Sequence, residues 1–334
     1  MQEALFYKKL DNKVVICELC PHNCRLINGK VGICGVRINK DGVLNTETYG
    51  VLSALHFDPI EKKPLYHFYP GRIIFSIGTV GCNLKCKFCQ NCDISQIDSK
   101  NIPYLKPYII QDIVKYALNK PENLGIAYTY NEPVVFYEFM LDIAREAKAN
   151  NLKNVVVSNG FINKKPLVEL TKYIDAFNID LKGFNNSFYK KYTGGSLSPV
   201  LESIKYIKSQ KKHIEITNLV IPTLNDDKNE FEEMVKWIAS EVGKDTVFHI
   251  SRYFPHYKMK IPATPIEKLK ELYQIASKYL YFVFIGNASL DIGKNTICNK
   301  CEKTVIERSG YYTYTSGLDI NGKCINCGNE ILVK

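Results

Sequence analysis

Between Arg72 and Ala288 short apolar, β-rich runs alternate with segments of helical period, and that alternation restricts the fold more than any other feature of the chain. The runs are Ile73–Ile77, Leu124–Tyr128, Asn154–Val157, Phe177–Leu181, Ile214–Ile221, Val247–Ile250 and Tyr281–Ile285. Between them, segments such as Pro133 to Asn150 set Val134, Phe136, Tyr137, Met140, Leu141 and Ala144 roughly on one face. Strand and helix repeated in this way make parallel βαβ units with right-handed crossovers. About six units fit before the chain runs out. The predicted fold is therefore α/β, a partial (β/α)6 TIM-like barrel with small cysteine-rich, metal-binding modules at both ends. The 334 residues divide as 1–71, an N-terminal four-cysteine module with a crossing loop; 72–290, the barrel; and 291–334, a C-terminal four-cysteine module of zinc-ribbon or rubredoxin type.

Parallel α/β folds gather their active sites at the carboxyl ends of the strands. Cys82, Cys86 and Cys89 follow the first run, and Thr129-Tyr130-Asn131-Glu132-Pro133 the second. Ser158-Asn159-Gly160 follow the third and Asp180-Leu181-Lys182-Gly183 the fourth. Thr217 and Asn218, then His249, Ser251 and Arg252, then Gly286-Asn287 come after the rest. Three thiols spaced C-x3-C-x2-C in one short loop can hold three irons of a [4Fe–4S] cube and leave the fourth iron open for another ligand. A zinc knuckle is the plainer alternative, although zinc sites usually pair two C-x2-C halves a dozen or more residues apart. The run Cys86-x2-Cys89-x2-Cys92 also fits the C-x2-C-x2-C of bacterial ferredoxins, in which case Cys92 closes the cluster.

The other eight cysteines flank the barrel. Cys17, Cys20, Cys24 and Cys34, with two, three and nine residues between them, suit a tetrahedral metal; zinc is the first choice and iron remains open. Cys298-x2-Cys301 and Cys324-x2-Cys327 stand 22 residues apart, a ribbon-like pattern for one zinc or iron ion. Twelve cysteines in three groups of four, in a long chain whose start resembles no signal peptide, point to metal in a reducing, cytoplasmic setting rather than to disulfides. No run is long enough for a membrane span. The net charge of +10 comes from lysines scattered through amphipathic helices, which reads as a solvated surface and argues against nucleic acid as a partner. The segment Asp58 to Gly71, with prolines at 59, 64 and 70, is expected to be an ordered crossing loop. Its charged residues and His67 either reach an active site or tie the loop to the barrel rim.

The loop Cys82-x3-Cys86-x-Phe88-Cys89 resembles the signature of the radical S-adenosylmethionine (SAM) superfamily. Asn131-Glu132-Pro133, Ser158-Asn159-Gly160 and Asp180-Leu181-Lys182 are similar to the order in pyruvate formate-lyase activating enzymes. With Cys17-x2-Cys20-Pro21-His22-x-Cys24, the Asp58–Phe68 segment, Cys89-Gln90-Asn91 and the C-terminal knuckles, nearly the whole chain resembles the AmmeMemoRadiSam system radical SAM enzymes. Cys92 departs from that pattern, which usually has an aromatic there.

The resemblance implies that Cys82, Cys86 and Cys89 bind a [4Fe–4S] cluster whose open iron chelates SAM, and that reductive cleavage yields a 5′-deoxyadenosyl radical. It also implies an external one-electron reductant and Ammecr-type and Memo-type partner proteins. Asn131 and Glu132 are placed near the SAM amino group, Ser158 and Asn159 at its ribose or methionine end, and Asp180 with Lys182 in the rest of the pocket. His249 and Arg252 fall to the adenine or substrate side. No catalytic residue is assigned. A glycyl-radical activase is the near alternative, and an electron-transfer protein with Cys92 closing the cluster is the alternative of another class.

Overall fold

The computed structural model describes residues 1–97 and 107–332. At its centre is one eight-stranded sheet. In chain order its strands are β1 (Ala54–Pro59), β2 (Ile73–Gly78), β3 (Asn123–Tyr128), β4 (Lys153–Ser158), β5 (Ala176–Asp180), β6 (His213–Val220), β7 (Val247–Arg252) and β8 (Val283–Gly286). Each strand pairs with the next, so spatial order follows sequence. Strands β2 to β8 are parallel, and β1 lies antiparallel on β2 at one edge. The six connections between parallel strands carry α1 (Ile110–Leu118), α2 (Tyr137–Ala149), α3 (Lys164–Thr171), α4 (Ser198–Ser209), α5 (Lys228–Glu241) and α6 (Ile266–Ala276). The sheet does not close on itself, so the open six-unit architecture read from the alternation is the one observed.

Helices on a parallel sheet bury both of its faces, and the sequence shows it: every residue of β3 is buried. Close approach also dictates one residue type there. A Cβ at Gly125 would lie 1.9 Å from the carbonyl oxygen of Lys153 on β4, so only glycine fits. Local signals set the helix ends. Asp227 caps α5 by accepting from Asn229 and Glu230 backbone N–H groups at 3.0 Å each, an arrangement that typically contributes about 1 kcal/mol.

The segment expected to be a crossing loop begins as strand. Ala54–Pro59 forms β1, and a proline at the end of an edge strand removes no ladder hydrogen bond. Only the part after Pro59 crosses, starting with a 3-10 turn over Ile60–Lys62. Its end is gripped by Glu215 on β6, a fully buried carboxylate that accepts from the backbone N–H groups of Tyr66 (2.9 Å) and His67 (2.8 Å) and from ring nitrogens of His213 (2.9 Å) and His249 (2.6 Å). The same segment reaches the C-terminal module, whose antiparallel strands are Thr296–Ile297, Thr304–Ser309 and Tyr312–Tyr314. Arg308 there lies over the Tyr66 ring and donates to the Tyr66 carbonyl at 2.8 Å. Val247, Phe282 and Phe284 at the sheet's edge share a core with Val305 and Ile306 of that module. The N-terminal module has two three-stranded antiparallel sheets and is locked to α2 by a buried Arg37–Glu138 ion pair at 2.9 Å. Among the described residues no helix is long and apolar enough to cross a membrane.

Burial alone would raise the Glu215 carboxyl, but its histidine partners more than reverse that and hold it low. Its contribution is then present above the ordinary carboxylate range and is lost as the pH falls toward the folded-state value. Denaturant unfolding of Glu215→Ala should show a loss of about 3–5 kcal/mol at neutral pH, shrinking below about pH 4. An unchanged midpoint would mean that the clamp stabilises nothing.

Candidate active site

The carboxyl ends of the parallel strands surround one cavity. Cys82, Cys86 and Cys89 line it, and so do Asn131, Glu132, Ser158, Asn159, Asp180 and Lys182. Three thiols from one loop and six of the eight cofactor-side residues expected from the sequence therefore converge. Leu84, Phe88, Val157 and Leu219 supply apolar wall between them.

Glu132 is the centre of the arrangement. It is 2% exposed. One carboxylate oxygen accepts from the Ser158 hydroxyl at 2.7 Å and from the Val134 N–H at 3.1 Å, and the other from the Asn159 N–H at 2.9 Å. The Val134 bond makes Glu132 the cap of the turn that starts α2, with Pro133 in the first position, where its missing N–H costs nothing. Burial pushes the Glu132 carboxyl up to about 7, against the pull of those donors. Asn159 continues the network: its amide donates to Asn83 Oδ1 at 2.9 Å and its own Oδ1 accepts from Phe161 N–H. Asn83 lies between Cys82 and Cys86, so the order of the cysteine loop depends on β4. Asn131 also serves the loop, accepting from Thr79 N–H at 3.0 Å and donating to the Gly81 carbonyl at 2.9 Å.

Across the cavity Lys182 pairs with Asp180 at 2.8 Å. Burial works against the Lys182 charge, but Asp180 and the nearby Cys86 thiol outweigh it and hold the ammonium above its ordinary range. Asp180 ends β5 and caps no helix. Burial pushes the Cys86 thiol up to about 11 and raises the Cys82 thiol well above its ordinary range. Thiols in that state ionise when a metal takes the proton's place. Three sulfurs from one loop, with no fourth cysteine in the lining, fit a cluster that keeps one iron open.

Two expectations are corrected. His249 is buried against Glu215, Tyr66 and Phe284, away from the cavity lining. It stands mid-strand, two residues before Ser251, so its side chain lies deeper on the same face, against Glu215. Arg252 leaves the cavity too, donating from Nε to the Thr264 carbonyl at 2.9 Å and covering the Phe254 ring. Ser251, between them in sequence, does line the cavity, along with Thr217. Cys92 is absent from the lining; its sulfur stands 3.6 Å from His256 Nε2 and 3.6 Å from Asp93.

Sequence reasoning gave no site role to Tyr130, Gln90 or Asn91, which also face the cavity. Tyr130 has φ of 71°, unusual for an aromatic, and its hydroxyl donates to Asp58. Asp58 also binds Lys62 (2.9 Å) and Lys63 (2.7 Å), so this end of the crossing segment reaches the site. Glu61 and His67 instead turn to the C-terminal module, through Thr313 and Thr296. The two readings of this segment are thus both realised, by different residues.

The model of the radical SAM superfamily matches residues 76–238. An uncharacterised protein of Methanocaldococcus jannaschii is 42% identical over 336 residues, covering 99% of both chains. The pyruvate formate-lyase-activating enzyme of Staphylococcus epidermidis is 26% identical over 169 residues, 48% of this chain and 67% of that one. Among solved structures, SuiB of Streptococcus suis bound to precursor peptide SuiA superposes with a TM-score of 0.51 at 16% identity, covering 69% of this chain and 51% of that one. A radical SAM methyltransferase from Sphaerobacter thermophilus gives 0.51 at 14% identity, covering 67% and 69%. These two likenesses speak for the fold. Together with the cysteine loop at the carboxyl end of β2, the matches establish that the chain belongs to the radical SAM superfamily.

Proposed function

We propose that this protein reductively cleaves SAM and uses the resulting 5′-deoxyadenosyl radical to take hydrogen from a substrate, within an AmmeMemoRadiSam-type system that supplies Ammecr-type and Memo-type partners. The observation that carries this reading is the single cavity shared by Cys82, Cys86, Cys89 and the polar strand ends. Cys82, Cys86 and Cys89 would hold a [4Fe–4S] cluster, which when bound supplies the electron for cleavage from an external one-electron reductant.

The chain's own residues do the rest. Glu132 offers the one buried carboxylate to the SAM ammonium, and Lys182 offers a cation to its carboxylate while Asp180 holds Lys182 in place. Ser158 and Asn159 act through Glu132 and Asn83 as positioning residues. Leu84, Phe88, Val157 and Leu219 keep water from the reacting atoms. The activase alternative draws on relatives that share about half of this chain, whereas the Methanocaldococcus jannaschii relative matches 99% of it. That partial coverage, with four-cysteine groups at both ends of this chain, weighs against the activase alternative.

At the C-terminus, Cys298, Cys301, Cys324 and Cys327 bring all four sulfurs within 4.8 Å of one another. The Cys298–Cys327 and Cys301–Cys324 pairs are 3.6 Å apart. Thiolates sharing one tetrahedral ion at about 2.3 Å stand about 3.8 Å apart, so we assign a single ion here, zinc in preference to iron, stapling a tail with little core of its own.

The cleavage reading is tested by anaerobic reconstitution with iron and sulfide, reduction with dithionite, and EPR with and without SAM. A [4Fe–4S]⁺ signal that changes on adding SAM, with 5′-deoxyadenosine formed, is expected for the wild type and for Cys92→Ala, and neither for Cys82→Ala. A wild-type cluster indifferent to SAM would move the assignment to electron transfer. SAM affinity should also rise as the pH passes upward through about 7, because the raised Glu132 carboxyl is neutral below that point. Glu132→Gln should weaken binding about tenfold or more at pH 8 and flatten the profile. A wild-type affinity that ignores pH would remove Glu132 as the ammonium's partner.

A further inference from the structure

The N-terminal cysteines differ from the C-terminal ones in a way that their spacing does not reveal. Cys17, Cys20, Cys24 and Cys34 stand around a small closed cavity rather than about a point. Among the described residues, only the C-terminal group draws its ligand atoms within 4.8 Å of one another. Thiolates that share one ion must converge in that way. Thiolates bound to different irons of a cluster stand further apart, because an iron–iron edge separates them.

The cavity is built to receive negative charge. Arg37 lines it and is 1% exposed. One terminal nitrogen of its guanidinium donates to the Leu5 carbonyl at 2.7 Å and to Glu138 at 2.9 Å. Its Nε and other terminal nitrogen are buried with no partner. Two unpartnered nitrogens with three N–H groups on a buried cation are costly unless an acceptor fills the space beside them. The rest of the lining is Leu19, Val134, Val135, Gly32, Asn83 and His22. A Cβ at Gly32 would sit at ordinary contact distance, 3.7 Å, from both the Cys24 and Cys34 sulfurs. His22 is no rival ligand at Nε2, which lies 2.7 Å from the Asn83 carbonyl oxygen.

We propose that Cys17, Cys20, Cys24 and Cys34 hold a second iron–sulfur cluster of the [4Fe–4S] class, with the free N–H groups of Arg37 directed at its sulfur atoms. Four cysteine ligands in a largely apolar setting close this cluster, leaving no iron open for substrate. Its neighbour is the cysteine loop of the active site: the Cys82 N–H donates to the Cys34 carbonyl at 3.3 Å. Ligands of the two centres are thus joined by one hydrogen bond. A single electron given by a low-potential one-electron donor to the outer cluster can pass inward, oxidising the outer cluster and reducing the inner one by the same electron. That exchange rests on the radical SAM reading, but the assignment of the cluster does not.

The test uses the full chain carrying Cys82→Ala, Cys86→Ala and Cys89→Ala, reconstituted anaerobically and analysed for iron, acid-labile sulfide and zinc. The expected result is about four irons and four sulfides per chain, with one zinc at the C-terminal knuckles. A second zinc without sulfide, or no metal beyond the first zinc, overturns the proposal whatever the wild type does with SAM. The companion variant Cys20→Ser/Cys24→Ser, with the active-site loop intact, should lose about half of the wild-type iron; full retention overturns the proposal. In dithionite-reduced wild type, magnetic interaction should make the EPR spectrum differ from the sum of the two variants' spectra, and simple additivity would overturn the placement of the two clusters as neighbours. Arg37→Gln should move the outer cluster's reduction potential to more negative values, and an unchanged potential would remove the assigned contact.

Discussion

The buried carboxylate of Glu132 is the contact on which the rest of the site depends. It starts α2, fastens the end of β4 through Ser158 and Asn159, and through Asn159 fixes Asn83 inside the cysteine loop. A carboxylate with three donors on it and a raised pKa is held at a cost, and proteins keep such groups mainly where chemistry needs them. The same atoms that set local structure also leave a carboxylate facing the cavity. Structure and function are not separable at this residue.

A parallel sheet makes such an arrangement possible. Because each strand of the parallel set pairs with its sequence neighbour, all seven carboxyl ends face one side, and short polar motifs far apart in the chain meet there. Antiparallel β1 extends that sheet and ends beside the start of β2, from where Lys62 and Lys63 reach the cavity lining before the chain turns away toward the C-terminal module. Thus one segment serves two tasks, closing a flank of the cavity and docking the tail through Tyr66 and Arg308.

Much of this was legible in the sequence because it follows from periodicity and residue type. All seven parallel strands overlap the apolar runs, and the polar residues after them form the cavity lining as far as Lys182. The reading failed where side-chain direction and depth decide. Arg252, next to Ser251, alternates to the other face, while His249 shares the face of Ser251 but lies two residues deeper in the strand, against Glu215 and below the cavity. Asn131 reads as a ligand by type but spends both ends of its amide on the loop backbone. β1 was hidden because Pro59 at its end reads as a strand breaker, although an edge strand tolerates what a central one does not.

The two outer cysteine groups mark the limit of spacing as evidence. Both have four thiols in a small module, and type and interval assign each of them one tetrahedral ion. The difference lies in what stands beside the sulfurs. At the C-terminus the thiols converge until pairs are 3.6 Å apart, and the backbone around them is short and turn-rich. At the N-terminus Arg37 and, from a distant part of the chain, Val134 and Val135 line the space with charge and apolar surface. Val134 and Val135 belong to the turn that Glu132 caps. The residue that organises the SAM-side cavity therefore also fixes a wall of the N-terminal one, which couples the order of the two sites through a single turn of backbone.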